Sequence, residues 1–232
     1  SEYKKGNKVI ISSKADTLAA LKPLLKESRI EKMLVFSISD WKNKKDELLK
    51  KIREEFNSKK IAVRSSAVNE DTLDSSMAGY FDTVLDVDSN DAKDAENAVK
   101  KVIGSYRSKM SENSFNQVLV QRQSENIVMS GVAFTRSLEK NSPYYVINYD
   151  DSSSKTYTVT KGIENRTIKI SKFTDIKDIP KNMQNLLSAI KEIESIIPDM
   201  GLDIEFAINK NGEVIIFQVR PMTTASRNEI DD

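Results

Sequence analysis

Asp203-Ile-Glu-Phe-Ala-Ile-Asn-Lys-Asn-Gly-Glu-Val-Ile-Ile-Phe-Gln-Val-Arg-Pro221 is the stretch that decides how this chain folds. Ile204, Phe206 and Ile208 alternate with Asp203 and Glu205, the period of a strand with one face in a core. A second apolar run leads into Gln218 and Arg220. Asn211-Gly212 between two such runs signals a hairpin, because a two-residue turn of this kind needs φ > 0 at both positions. A turn on those two residues sets Glu205 opposite Gln218 and Asp203 opposite Arg220, with all four side chains on one face. Two carboxylates, an amide and a guanidinium on adjacent rungs suit a hard divalent cation together with phosphate. The commoner use of such residues is a half-solvated hairpin carrying salt bridges, so the remaining sequence has to separate the two.

At 232 residues the chain is long enough for one large domain or two small lobes. Charged residues make up 31% and balance to a net charge of +1. With no long block of one sign, charge gives no argument for nucleic acid or an anionic membrane as partner. No apolar run reaches transmembrane length, and the opening Ser1-Glu-Tyr-Lys-Lys5 is not a signal peptide. Cysteine is absent, which excludes disulfides and thiol catalysis and makes the cytoplasm the default location. Histidine is absent too, so no histidine base, metal ligand or phosphohistidine resides here. A metal would need oxygen ligands, favouring Mg²⁺, Mn²⁺ or Ca²⁺ over zinc. A reaction that requires histidine must draw it from another domain. The chain starts without methionine and is expected to be a piece of a longer protein.

Periodicity gives a coarse order of elements. Val9–Ile11 and Met33–Ile38 read as short strands, and Lys14–Lys26 as a helix between them. Asp40 is expected to cap a helix running to about Phe56. Ile61–Val63 is a buried-type strand that enters a polar loop from Ser65 to Ser76, and Tyr80–Val87 alternates as a strand. Ala92–Met110 has helical spacing. From Gln117 the character turns to β, with strands at 118–120, 127–135, 144–148, 157–160 and 166–170. A helix from about Asn182 to Ile197 precedes the hairpin. The reading is α+β in two lobes, 1–115 and 116–226, with a tail at 227–232.

Several segments can carry chemistry. Ile61-Ala-Val-Arg-Ser-Ser-Ala67 delivers Arg64 at a strand end followed by small residues, and a guanidinium fork suits phosphate. Ala78-Gly79 allows close backbone approach, or is a plain turn. Ser130-Gly-Val-Ala-Phe-Thr-Arg136 opens on a Ser-Gly turn whose amides can cradle phosphate and ends on further donors. Lys14 after Ser12-Ser13 can act as a point charge, or be solvated like most lysines of this chain. Arg107 lies near the C-terminal end of its helix, where the dipole already favours a cation.

In this order, Val63-Arg-Ser-Ser-Ala67, Ala78-Gly79, Ser130–Arg136, Asp203-Ile-Glu205 and Gln218-Val-Arg-Pro221 resemble the ATP-grasp nucleotide-binding domain of the phosphoenolpyruvate synthase and pyruvate phosphate dikinase family. The resemblance runs from Ser13-Lys14 to Pro221. Within that family, Ser12–Leu18 and Phe36-Ser-Ile-Ser-Asp-Trp41 look closest to the L-glutamine kinase branch, which serves capsular polysaccharide phosphoramidate synthesis.

The resemblance implies an α+β ATP-grasp fold, two lobes with the nucleotide site in the cleft between them, and ATP and Mg²⁺ as ligands. Lys14, Arg64 and Arg107 would face the phosphates, and the backbone of Gln121-Arg122-Gln123 would meet adenine. The Ser130-Gly131 turn and Thr135 would lie over the phosphates. Asp203 would sit near ribose and metal, Glu205 and Gln218 would hold Mg²⁺, and Arg220 would bind the reacting phosphates, Arg64 and Arg220 being the catalytic pair. The implied partners are a swivelling domain with a phosphorylated histidine and an acceptor-binding domain of the same full-length protein. The acceptor is expected to be glutamine, with pyruvate or rifampicin as alternatives and a non-catalytic ATP-binding module as the competing class. A stand-alone ATP-grasp carboxylate ligase is disfavoured, since its motifs differ. Three departures from the family pattern stand out: Ser137-Leu138 after Thr135-Arg136, Asn148-Tyr-Asp-Asp151 in place of an acidic and glycine-rich segment, and Ser13 in place of a glycine before Lys14.

Overall fold

Two antiparallel sheets organise the chain in the computed structural model, which describes residues 8–67, 83–109, 113–137, 143–151 and 166–222. Their strands belong to two compact units, one made of residues 12–15 and 31–124, the other of 1–11, 16–30 and 125–232. The boundary therefore falls at 124/125 rather than 115/116. The physical reason is β4 (Gln117–Arg122), an interior strand of the first sheet between β1 (Met33–Ser37) and β2 (Lys60–Ser66), with β3 (Thr83–Asp88) outside β2. A strand hydrogen-bonded on both sides cannot be assigned away from its neighbours.

The first unit buries one face of that sheet under α2 (Ile38–Phe56) and α3 (Ala92–Lys109). Phe36, Ile61, Val63, Val118 and Val120 meet Ile38, Trp41, Ile52, Phe56, Val99, Val102 and Tyr106. Each large side chain buried there contributes roughly 1.5–3 kcal/mol. Ser37 is the N-cap of α2 and Asp40 its third residue, bonded reciprocally as a capping box, so the cap lies three residues before the expected Asp40. That backbone hydrogen bond, first, lowers the Asp40 carboxyl below its ordinary pKa. Inside α2, Lys44 leaves helical geometry at φ −135°, ψ 31°, and the helix kinks there.

The second unit holds the five-stranded sheet β7-β6-β5-β8-β9: β5 (Ile127–Phe134), β6 (Tyr144–Asp150), β7 (Arg166–Ser171), β8 (Leu202–Asn209) and β9 (Val214–Pro221). α4 (Lys181–Ile196) lies on β8 and β9 and buries Met183, Leu186, Leu187, Ile190 and Ile193. Tyr145 of β6 donates to Glu194 of α4 at 2.8 Å, and Lys172 pairs with the other Glu194 oxygen. Burial and that carboxylate push the Tyr145 phenol well above its usual pKa. α1 (Lys14–Leu21) is shorter than the helix expected through Lys26, and 9–11 is not a strand. Beyond α1, Arg29 forms a parallel bridge with Ile215: Arg29 N donates to Val214 O at 3.0 Å and Ile216 N to Arg29 O at 2.9 Å. The expected strand at 157–160, the Ala78-Gly79 segment and the tail lie outside the described residues.

Candidate functional site

The hairpin pairs Asp203 with Arg220 and Glu205 with Gln218, the expected rungs, but by a different route. Its turn holds three residues, Lys210 to Gly212, between Asn209 and Glu213, with Asn209 N donating to Glu213 O and Gly212 N to Asn209 O. Gly212 has φ +80°, and Asn211 is not in the left-handed region. The Asn209 side chain accepts from the backbone N–H of Asn211 and Glu213 and thereby sets the turn. The longer turn shifts the register by one, so Phe206 faces Ile216. A bulge then leaves Phe217 unmatched and restores the offset at Glu205–Gln218.

Alternation across the paired strands puts a polar set on one face of this sheet. Asp203, Glu205, Gln218 and Arg220 share it with Ser130 and Asp150, with Asn148, and with Thr167 and Lys169 of the neighbouring strands. Asp203 is buried, and its Oδ2 accepts from Arg220 Nε at 2.9 Å and NH2 at 2.8 Å. Asp203 thus aims the guanidinium, and Glu205 and Gln218 are left as the carboxylate and amide rung. Thr167 donates to Asn148 Oδ1 at 2.6 Å. Asn148, Thr167 and Lys169 were not singled out as site residues from sequence; the strand period alone could have found them once the pairing was known.

Two expectations for this unit change. Ser130-Gly131 is not a turn but the middle of β5, paired on both sides, so its backbone amides belong to the sheet. A Cβ on Gly131 would lie 2.0 Å from the Asn148 carbonyl oxygen, which is why glycine stands there. Thr135 is fully buried, and its Oγ1 accepts from Leu202 N at 2.9 Å while its own N–H donates to Leu202 O. Its hydroxyl latches the end of β5 to β8 rather than facing outward.

In the first unit, Arg64, Ser66, Gln117 and Gln121 share the sheet face opposite the helices. Arg64 is buried and its NH1 donates to Gln121 Oε1 at 3.1 Å. Gln121 Nε2 is buried with no acceptor among the described residues. Along Gln121 to Gln123, Gln121 pairs with Ala62 and Met33, Arg122 N donates to Lys32 O, and Gln123 N to Lys60 O, so these two amide hydrogens are engaged within the unit. Lys14 is buried, with Nζ donating to Ser65 O at 3.1 Å. Ser13 Oγ and Ser66 Oγ both donate to Gln117 Oε1, and Ala15 N donates to Ser66 Oγ. Tyr106 ties the strand ends together, donating to Gln117 O and accepting from Ser66 N. The side chain of Arg107 lies outside what the structure describes.

Among the described residues no cluster of three acidic, cysteine or histidine side chains is built to hold a metal. The donor chemistry of Glu205 and Gln218 is all-oxygen, which fits Mg²⁺: that ion takes one or two protein oxygens and completes its shell with phosphate and water. No helix among the described residues is long and apolar enough to cross a membrane.

Comparison with known proteins gives a consistent picture. The family profile "Pyruvate phosphate dikinase, AMP/ATP-binding domain" matches residues 11–150. No curated protein matches the sequence. Among solved structures, D-alanine-D-alanine ligase from Helicobacter pylori superposes with a TM-score of 0.51 at 12% identity, over 94% of this chain and 53% of the ligase. VanG D-Ala:D-Ser ligase from Enterococcus faecalis gives 0.48 at 10% identity, over 84% and 48%. The fold is ATP-grasp, and the chain spans about half the length of these ligases.

Proposed function

Because this chain belongs to the pyruvate phosphate dikinase AMP/ATP-binding domain family, we propose that it binds ATP with Mg²⁺ as the donor half of a phosphotransferase. The observation that carries this reading is the paired rungs of the hairpin: an aimed guanidinium directly beside a carboxylate–amide pair. A solvent-facing salt-bridged hairpin has no need to bury Asp203 and Gln218.

Glu205 and Gln218 would hold Mg²⁺, which supplies charge neutralisation of the phosphates when bound. Arg220, held by Asp203, binds the reacting phosphates, and Arg64 and Lys14 bind phosphate from the first unit, with Arg107 a further cation. The orphaned Gln121 Nε2 next to Arg64 donates to an acceptor on the nucleotide. Ser130 and Gly131 contribute by position in β5, and Thr135 by fixing the strand end from which Arg136 leaves. Phosphoryl transfer asks for little else from a protein than positioning and electrostatic stabilisation. Arg64 and Arg220 supply it as the charge on the leaving nucleotide grows.

The phosphoryl acceptor is a histidine on a swivelling domain of the full-length protein: the imidazole nitrogen attacks phosphorus, and the bridging P–O electron pair leaves with the nucleotide. The final acceptor is L-glutamine, a reading supported by the resemblance of Ser12–Leu18 and Phe36–Trp41 to that branch, with an acceptor-binding domain in the same protein. A cytoplasmic setting, where ATP is available, is part of the reading.

The test mixes this chain with a histidine-bearing domain and ATP labelled separately at the β and γ phosphates. Label on the histidine that depends on Mg²⁺ is expected, and E205Q should reduce ATP binding with Mg²⁺ more than without it. Tight ATP binding with no transfer leaves a binding module, and equal losses in E205Q remove the metal role.

A further inference from the structure

α3 carries an exposed glycine on which no described residue packs. Gly104 lies inside the helix, and glycine there weakens a helix relative to alanine. Glycine is kept in helices for a positive φ or for close packing, and neither holds. Its φ is not in the left-handed region, and among the described residues nothing beyond its own helix lies within 4 Å of where a Cβ would sit. The space over Gly104 is a cavity of about 480 Å³ between α2 and α3, open to solvent on the side of the exposed Lys42, Lys100 and Gly104 and lined further by Ile38, Trp41, Lys45 and Ile103. That volume is in the range of small-molecule sites.

The lining is of two kinds. Trp41 and Ile103 supply the apolar floor, Ile38 being fully buried, and Trp41 is held flat by stacking on Phe36 with ring centroids 5.8 Å apart. Three lysines form the rim, and no acidic side chain lines it among the described residues. Glu96, just outside, is shared between Lys45 at 2.9 Å and Lys100 at 2.8 Å, so one carboxylate serves two ammonium groups. The kink of α2 at Lys44 falls between the rim residues Lys42 and Lys45. From the exposed glycine, the apolar floor and the cationic rim, we infer that this cavity binds a small organic anion, with a flat or aliphatic body against Trp41 and Gly104 and a carboxylate at the lysines. The site lies wholly within the first unit, on the helix side of its sheet, away from the face that carries Arg64 and Gln121.

Trp41 is the single tryptophan of the chain, so its emission reports the cavity directly. Titration with 4-phenylbutyrate and with octanoate is expected to change that emission saturably, with half-effect below about 1 mM. The uncharged amides of the same acids should bind at least about tenfold more weakly, since they lack the charge-assisted contacts. G104L places a side chain in the open space and should abolish the response while leaving the circular dichroism spectrum and ATP binding unchanged. Should G104L fold poorly, the double variant K45Q/K100Q carries the test and should weaken the acids by about tenfold. The inference is overturned by the absence of a saturable change with either acid up to about 20 mM. Amides that bind as well as acids, or variants that respond as the parent does, overturn it equally.

Discussion

Exchanging Asp203 for asparagine asks whether the Arg220 guanidinium is held by charge or by shape alone. The Asp203 side chain is 3% exposed and that of Arg220 20%, and both arginine nitrogens converge on one oxygen at 2.8–2.9 Å. Exposed ion pairs contribute ~0–1 kcal/mol, and removing one member of a buried pair costs ~3–5 kcal/mol. With one partner buried and the other a fifth exposed, the coupling should be about 2 kcal/mol. Asparagine keeps an amide oxygen in the same place, so D203N retains part of the contact and loses the charge assistance. The assay is a cycle of parent, D203N, R220Q and the double variant, each unfolded in urea, with unchanged slopes required for the comparison. Each single change should lower stability by about 2 kcal/mol, and the double variant by little more than either alone. Losses that simply add, with a coupling below about 0.5 kcal/mol, refute the claim that Asp203 aims Arg220.

Four further outcomes are expected. G131A drives a Cβ to 2.0 Å from the Asn148 carbonyl and must part β5 from β6, so its urea midpoint should fall by the equivalent of about 3 kcal/mol; an unchanged midpoint contradicts the close approach. R64A should reduce ATP affinity about 10- to 100-fold by calorimetry while adenosine affinity stays near the parent value, because only the nucleotide offers phosphate. G104A should stabilise the domain by about 0.5–1 kcal/mol in the same urea assay, since the added methyl meets open space in a helix. The hydrogen bonds of Lys100 and then Lys45 hold the Glu96 carboxyl at a pKa of about 2, against an ordinary 4.5. A depressed folded pKa contributes stability above the unfolded value and loses it as pH falls toward 2. E96Q should therefore show a smaller drop in urea midpoint between pH 6 and pH 3 than the parent, and an equal drop contradicts the pairing.

The rungs of the hairpin were legible because alternation fixed which residues share a face, yet the expected geometry was right for a reason the sequence hides. Two irregularities cancel: the turn is one residue longer than Asn211-Gly212 alone implies, and Phe217 is looped out of the pairing. Val214 to Phe217 is uniformly apolar, so no break in period marks where a bulge sits. Gly131 was read as half of a Ser-Gly turn, and what requires glycine there, the backbone of β6 lying across it, is a tertiary contact. Thr135 followed the same pattern: a donor at a strand end by sequence, a buried latch on Leu202 in the fold. Unit boundaries were read as one cut, whereas β4 joins strands far before it in sequence and 16–30 joins the other unit. Non-local pairing leaves no trace in local composition.

The bridge from Arg29 to Ile215 has a consequence for handling this protein. β9 ends its sheet, and an uncovered outer strand is a template for another chain. Arg29 occupies two of its backbone groups and, with the Arg29–Glu213 ion pair, puts charge at that margin. A version trimmed back to β1 would strip this guard together with α1, whose Ala15, Leu18 and Leu21 are fully buried, so it would lose core packing as well as open β9 to self-association.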